Sequence, residues 1–150
     1  MRIGLLAVAT VLWTLGLLLA GCAAPIEGAW ETKVEYPQGS DPAGFELHLT
    51  LAKFMKDETG GAAEYTIFHE NARIVTCKTS LKSVSKAGGT YEYLETITEG
   101  SCEDGMTIRV VPTAEDKLSW QRIGADGNVE MAATLDVQTG IATAVDKPGA

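Results

Sequence analysis

Basic residues are scarce in this sequence. It holds 12 lysine and arginine residues against 20 aspartate and glutamate residues, a formal net charge of −8. Nucleic acids and anionic lipid head groups are bound by clusters of lysine and arginine. We therefore expect neither a nucleic-acid partner nor electrostatic docking on a membrane surface.

Sequence motifs of the common enzyme classes are also missing. There is no G-x-S-x-G, no H-E-x-x-H and no phosphate-binding loop, the patterns that place a nucleophile, a catalytic metal or a nucleotide. His48 and His69 are the only histidines, too few ligands for a predicted metal site. We expect no catalytic residue, no enzyme activity and no cofactor, and leave open only a carboxylate pair that the fold itself assembles.

A long apolar run occurs only at the start of the chain. Arg2 precedes an apolar segment from Ile3 to Ala20, which is the arrangement of a secretory signal peptide. An uncleaved transmembrane helix is the alternative, because the run is near the lower length limit for crossing a bilayer.

The end of this run, Leu19-Ala20-Gly21-Cys22, resembles the lipobox of bacterial lipoproteins. In that motif an aliphatic residue and two small ones precede a cysteine whose thiol receives a diacylglyceryl group. The resemblance implies a signal peptide at 1–21, fatty-acyl chains such as palmitate on Cys22, and a tether at 22–27. Because two or more acyl chains anchor a protein stably, we expect a lipoprotein on the extracytoplasmic face of a membrane in the cell envelope.

Lipidation of Cys22 would leave two cysteines, Cys77 and Cys102. Outside the cytoplasm an isolated pair usually forms a disulfide. A metal site or a reactive thiol is the alternative, but no C-x-x-C motif supports either one.

The remainder of the chain is predicted to be all β. Phe45, Leu47, Leu49 and Leu51 alternate with polar residues, the period of a strand with one buried face. No segment keeps a helical period, and glycine pairs and Asp-Gly sequences separate the alternating runs. The predicted strands are 29–36, 45–51, 63–69, 73–81, 91–98, 106–111, 117–123 and 129–137. Short strands at this spacing are typical of a small antiparallel barrel or a sandwich, which gives a β domain at 28–137 and a flexible tail at 138–150.

The order of several residues in this region resembles a small disulfide-bonded β domain of actinobacterial envelope proteins, found in lipoproteins and in the extracellular part of some serine/threonine kinases. The matching residues are Gly28, Trp30, Cys77, Leu81, Tyr91, Tyr93, Glu95, Ile97, Gly100, Cys102, Gly105, Leu118, Trp120 and Leu135. The resemblance implies a Cys77–Cys102 disulfide and a barrel or sandwich, and it implies no catalytic residue. The sequence departs from the pattern by an insertion at 57–61 and by its tail. Gly28-Ala29-Trp30 also resembles the Gly-x-Trp opening of lipocalins, which favours a lipocalin-like barrel.

Four aromatic residues are candidates for a ligand-facing role: Trp30, Tyr91, Tyr93 and Trp120. Burial in the core is the default for such residues. In a barrel open at one end, the same inner face would line a pocket for a small apolar ligand. The leading hypothesis is a non-catalytic recognition, sensor or adaptor module that contacts another envelope component. The alternative is a lipocalin-like carrier of a small lipophilic ligand.

Overall fold

A computed structural model describes residues 25–138 of the protein. The predicted signal peptide, the lipidation site Cys22 and the predicted tail from residue 139 onward lie outside the described residues. Within 25–138 the chain forms strands and loops and no helix, so no helix there is suited to crossing a membrane. The strands are β1 (Gly28–Glu35), β2 (Gly44–Leu51), β3 (Thr59–Phe68), β4 (Ile74–Ala87), β5 (Thr90–Glu99), β6 (Thr107–Ala114), β7 (Lys117–Ile123) and β8 (Val129–Val137).

Each strand pairs antiparallel with the next, and β8 returns to pair with β1, which closes the sheet into a barrel. The prediction of a small antiparallel barrel of eight strands is therefore confirmed, and the sandwich alternative is not the fold. The predicted bounds of β7 and β8 are those of the structure, and β4 continues past the predicted end at residue 81 as far as Ala87.

Gly60 and Gly61, which suggested a turn before β3, lie inside that strand. The backbone at Gly60 passes so close to β4 and β5 that a Cβ atom there would lie 2.1 Å from Ser83 Oγ and 2.7 Å from a ring carbon of Tyr93. Glycine is present because neighbouring side chains approach its backbone closely, which is one of its established uses within strands.

Alternating residues of the strands fill the barrel interior. Phe45, Leu47 and Leu49 of β2 are almost fully buried, as the alternation predicted. Trp120 lies among them, with ring centroids 6.0 Å from both Phe45 and Tyr65. These side chains belong to one continuous hydrophobic cluster, so aromatic and aliphatic groups occupy the middle of the barrel.

The two ends of the barrel differ. At the end that we call the tether end, Ile26 is buried and its carbonyl oxygen accepts a 2.9 Å hydrogen bond from Trp30 Nε1. Ile26 is thus packed on the barrel, although the sequence placed it in the tether. Phe54 covers the same end, with its ring edge-on to Tyr91 and Tyr93. The other end, formed by loops 36–43, 69–73, 100–106 and 124–128, is called the cavity end below.

Candidate functional site

A cavity of about 340 Å³ opens at the cavity end. Its apolar wall is formed by Ile67, Val75 and Met131, and its polar wall includes Arg122 and Glu130. The remaining lining residues are Pro42, Tyr65, His69, Arg73, Ser101, Cys102 and Glu103. This volume falls in the range of sites that hold a small molecule or a protruding side chain.

A buried ion pair forms the floor of this cavity. Glu95 on β5 is fully buried, and Arg122 on β7 is 6% exposed. Arg122 Nε donates to Glu95 Oε2 at 2.8 Å, and Nη1 donates to Glu130 Oε2 at 3.1 Å. Charges excluded from water must be paired and hydrogen-bonded, so these contacts fix the guanidinium in one position.

Tyr65 completes the network from β3. Its hydroxyl donates to Glu95 Oε1 at 2.5 Å, and its ring lies beside the guanidinium, 5.8 Å from the Arg122 carbon. Burial raises the pKa of Tyr65 well above its ordinary value, and the adjacent Glu95 carboxylate raises it further. The phenol therefore remains a neutral donor across the physiological range.

The loop from 100 to 106 forms one wall of the cavity and is fixed at several points. Cys102 is joined to Cys77 of β4 by a disulfide with a Cα–Cα distance of 6.0 Å, so the predicted bridge is confirmed. The Glu103 carbonyl accepts a 2.6 Å bond from Arg122 Nη2, and Asp104 Oδ1 accepts the Ile97 amide at 2.9 Å. The wall is thus attached to β4, β5 and β7.

The opposite rim is formed around His69. Its Nδ1 lies 2.6 Å from Asp41 Oδ1 of the first loop at this end, and Arg73 beside it is exposed.

His48 lies on the outer surface, 3.6 Å from Glu31, so the fold does not bring the two histidines together. Among residues 25–138 no group of three or more metal-ligating side chains is present.

The four predicted ligand-facing aromatics all lie in the barrel interior. Trp30, Tyr91, Tyr93 and Trp120 are each at most 5% exposed. None of them is among the residues that line the end cavity. Burial raises the pKa of Tyr93, with a smaller contribution from Tyr91 beside it. Their placement is that of core aromatics, and Tyr65 is the aromatic residue that reaches the cavity.

The partners of Glu95 in this hydrogen-bonded network were not predicted from the sequence as site residues. The alternation of residues along the strands nevertheless contains a signal for them. Glu95 shares an inward face with Tyr91 and Tyr93, and Arg122 follows Leu118 and Trp120 at alternate positions of β7. A charged residue in an apolar row needs a partner of opposite charge. One acidic and one basic residue on the inward faces of different strands are therefore predicted to form an ion pair.

Comparison of the chain with protein-family models, with curated proteins and with solved structures found no match. The fold and the site define the molecule structurally, as a closed eight-stranded antiparallel barrel with a charged network under a cavity at one end.

Proposed function

We propose that this protein is a membrane-anchored recognition module of the cell envelope, and that it contacts another envelope component through the cavity end. The observation that carries the proposal is the position of the cavity. It opens at the end of the barrel opposite to Ile26, where the chain enters from the predicted lipid anchor on Cys22. An anchor at the tether end leaves the cavity facing away from the membrane.

The cavity end is suited to recognition because it is both preformed and charged. The disulfide and Arg122 hold one wall in place, and a preorganised site loses less entropy on binding. Most charged residues at this end are acidic: Glu35, Asp41, Glu70, Glu99, Glu103, Asp104, Asp126 and Glu130. A partner surface with basic groups is complementary to this end.

The alternative, a carrier of a small lipophilic ligand, is favoured by the apolar wall of Ile67, Val75 and Met131. A ligand enclosed in the barrel would compete with Trp120 and its neighbours for the interior. Native mass spectrometry of the purified domain separates the two functions, because a carrier retains the added mass of its ligand and a recognition module does not.

Site-specific cross-linking in the native host tests the proposed function. A photoreactive residue in place of Arg73 reports on the cavity end, and one in place of Lys56 reports on the tether end; both positions are exposed. We expect an envelope component to cross-link from position 73 and not from position 56. Equal yields from both positions, or none from either, contradict the proposal.

Two variants complete this experiment. Met131→Trp fills the cavity and should abolish the cross-link from position 73 without lowering the melting temperature by more than a few degrees.

Cys22→Ala removes the predicted lipid anchor and should move the protein from the membrane fraction to the soluble fraction. Retention of the Cys22→Ala protein in the membrane would contradict the anchor.

A further inference from the structure

The pairing of β1 with β8 that closes the barrel is the shortest of its eight strand pairings. Along β1 every residue from Gly28 to Glu35 has a partner on β2. Within residues 25–138, β1 and β8 pair only at Trp30 with Val137 and at Glu31 with Asp136. From there toward the cavity end the two strands run on without pairing, and we call this gap, bounded by 32–35 and 129–135, the seam.

The hydrogen-bonding groups along the seam can be assigned from the strand period. In an antiparallel sheet, alternate residues direct both their N–H and C=O groups to the same neighbouring strand. The Val137 amide donates to Asp116 on the β7 side, so Ala132 and Thr134 direct their groups toward β1. The Ala29 carbonyl accepts the Gln138 amide, so Lys33 and Glu35 direct theirs toward β8. Within the described residues these groups have no partner across the seam.

Most inward apolar side chains along the seam are only partly covered. Val34 of β1 and Met131 and Ala133 of β8 are half-buried, as are Ile67 and Val75 at the same end of the barrel, whereas Leu135 of β8 is fully buried. The seam therefore exposes an apolar strip next to unpaired backbone, the combination that an added β-strand covers.

The two edges of the seam are not equivalent. Lys33 extends between Glu35 and Glu46, at 3.8 and 3.4 Å, and a lysine on a strand edge hinders pairing. On β8 the outward residues beside the gap are Ala132 and Thr134, which are small and exposed. The β8 edge is the more accessible template.

We propose that the seam binds a short extended segment of the partner, whose backbone pairs with Ala132 and Thr134 of β8. This inference rests on the recognition function proposed above and adds how the partner is bound. Inward side chains of the segment are apolar, because they cover Met131 and Ala133. Outward side chains are basic, because acidic residues flank the seam on both strands: Glu31, Glu35 and Asp136.

Amide hydrogen exchange with a synthetic peptide tests the mode of binding. The probe is a hexapeptide of alternating lysine and valine, with a peptide of alternating glutamate and valine as the control. We expect the lysine peptide to slow exchange at the Ala132 and Thr134 amides, and the glutamate peptide to leave them unchanged. No change at these amides with either peptide, or equal slowing with both, overturns the proposal.

A matched pair of variants links this result to backbone pairing. Thr134→Pro removes the N–H group that points into the seam, whereas Thr134→Ala keeps it, and pairing with β7 uses the neighbouring residues instead. Proline is tolerated where the missing N–H faces outward from a sheet edge. We expect Thr134→Pro to weaken peptide binding about tenfold, the effect of one good hydrogen bond, and Thr134→Ala to change it little. Equal affinities of the two variants contradict strand addition, provided that both melt like the parent.

Other occupants of the seam give different results. Slow exchange at Ala132 and Thr134 that appears with rising protein concentration and no peptide would mean that a second copy of this chain fills the gap. Slow exchange in the full chain that is lost on truncation after Gln138 would mean that the tail fills it. Either result overturns the proposal for the seam, while cross-linking from position 73 still decides the proposed function separately.

Discussion

Glu95 and Arg122 are joined inside the barrel, with Arg122 Nε 2.8 Å from Glu95 Oε2 and both side chains almost completely excluded from solvent. Removing one member leaves the other buried and unpaired, which typically costs about 3–5 kcal/mol. We therefore expect Arg122→Met to lower the free energy of unfolding by that amount in urea denaturation. The double variant Glu95→Leu with Arg122→Met should lose clearly less than the sum of the two single variants. Additive losses would show that the pair does not act as a unit.

Tyr65 gives the barrel a predictable sensitivity to alkaline pH. An unfolded tyrosine ionises near pH 10, whereas burial and Glu95 hold the pKa of the folded Tyr65 well above that value. The contribution to stability is complete below about pH 10 and is lost as the pH rises toward the raised pKa. Between about pH 9 and about pH 11, the free energy of unfolding should fall less steeply with rising pH for Tyr65→Phe than for the parent protein. An unchanged slope would assign the alkaline sensitivity to other groups.

The disulfide should be structural. It joins residues 25 apart in the sequence, and closing a loop of this length contributes about 3.5 kcal/mol in the chain-entropy model, out of a typical total of about 5–15 kcal/mol. We expect Cys102→Ser to lower the melting temperature by many degrees and to leave the proposed acylation of Cys22 unchanged. Ser101→Ala, beside it in the same loop, is the control. Two reactive thiols at Cys77 and Cys102 in the protein isolated from its native host would refute the bridge in vivo.

Gly100 should tolerate alanine less well than Gly105 in the same loop. Both have positive φ angles, 94° and 76°, so alanine at either position should cost about 1–2 kcal/mol in backbone strain. At Gly100 a Cβ atom would in addition lie 2.2 Å from the Thr76 carbonyl oxygen, whereas at Gly105 nothing lies within 4 Å. Thermal denaturation should therefore show a larger loss for Gly100→Ala than for Gly105→Ala. Equal losses would mean that β4 shifts freely at Thr76.

A structural feature was predictable from the sequence when the residues that form it are close together in the chain, and it was not predictable when they come from distant strands. Alternation along β2 identified the buried face of Phe45 and Leu47, because strand period is a local property. The role of Gly60 was not predictable, since it depends on Ser83 and Tyr93 from two other strands. The position and lining of the cavity were not predicted for the same reason, because its walls come from strands and loops that meet only when the barrel closes.

The candidate site shows the same division. Cys77 and Cys102 were paired correctly because only two cysteines remain once Cys22 is assigned to the predicted lipidation site. Glu95 shares the alternation of Tyr91 and Tyr93 along its strand, but its partner Arg122 depends on the register of β7 against β6 and β8. Strand register is set by packing across the whole sheet, so a single sequence identifies charged inward residues more easily than it pairs them.

An even number of strands returns the chain to the rim where it began. Gln138 lies beside Ala29, whose carbonyl oxygen accepts the Gln138 amide at 2.9 Å. An affinity tag or fluorescent protein joined after the last strand would therefore depart from the same rim as the proposed lipid anchor, and would occupy the space next to the bilayer. A reporter intended to sense the opposite rim is better inserted in the turn at 125–127, where Gly127 has open space around it.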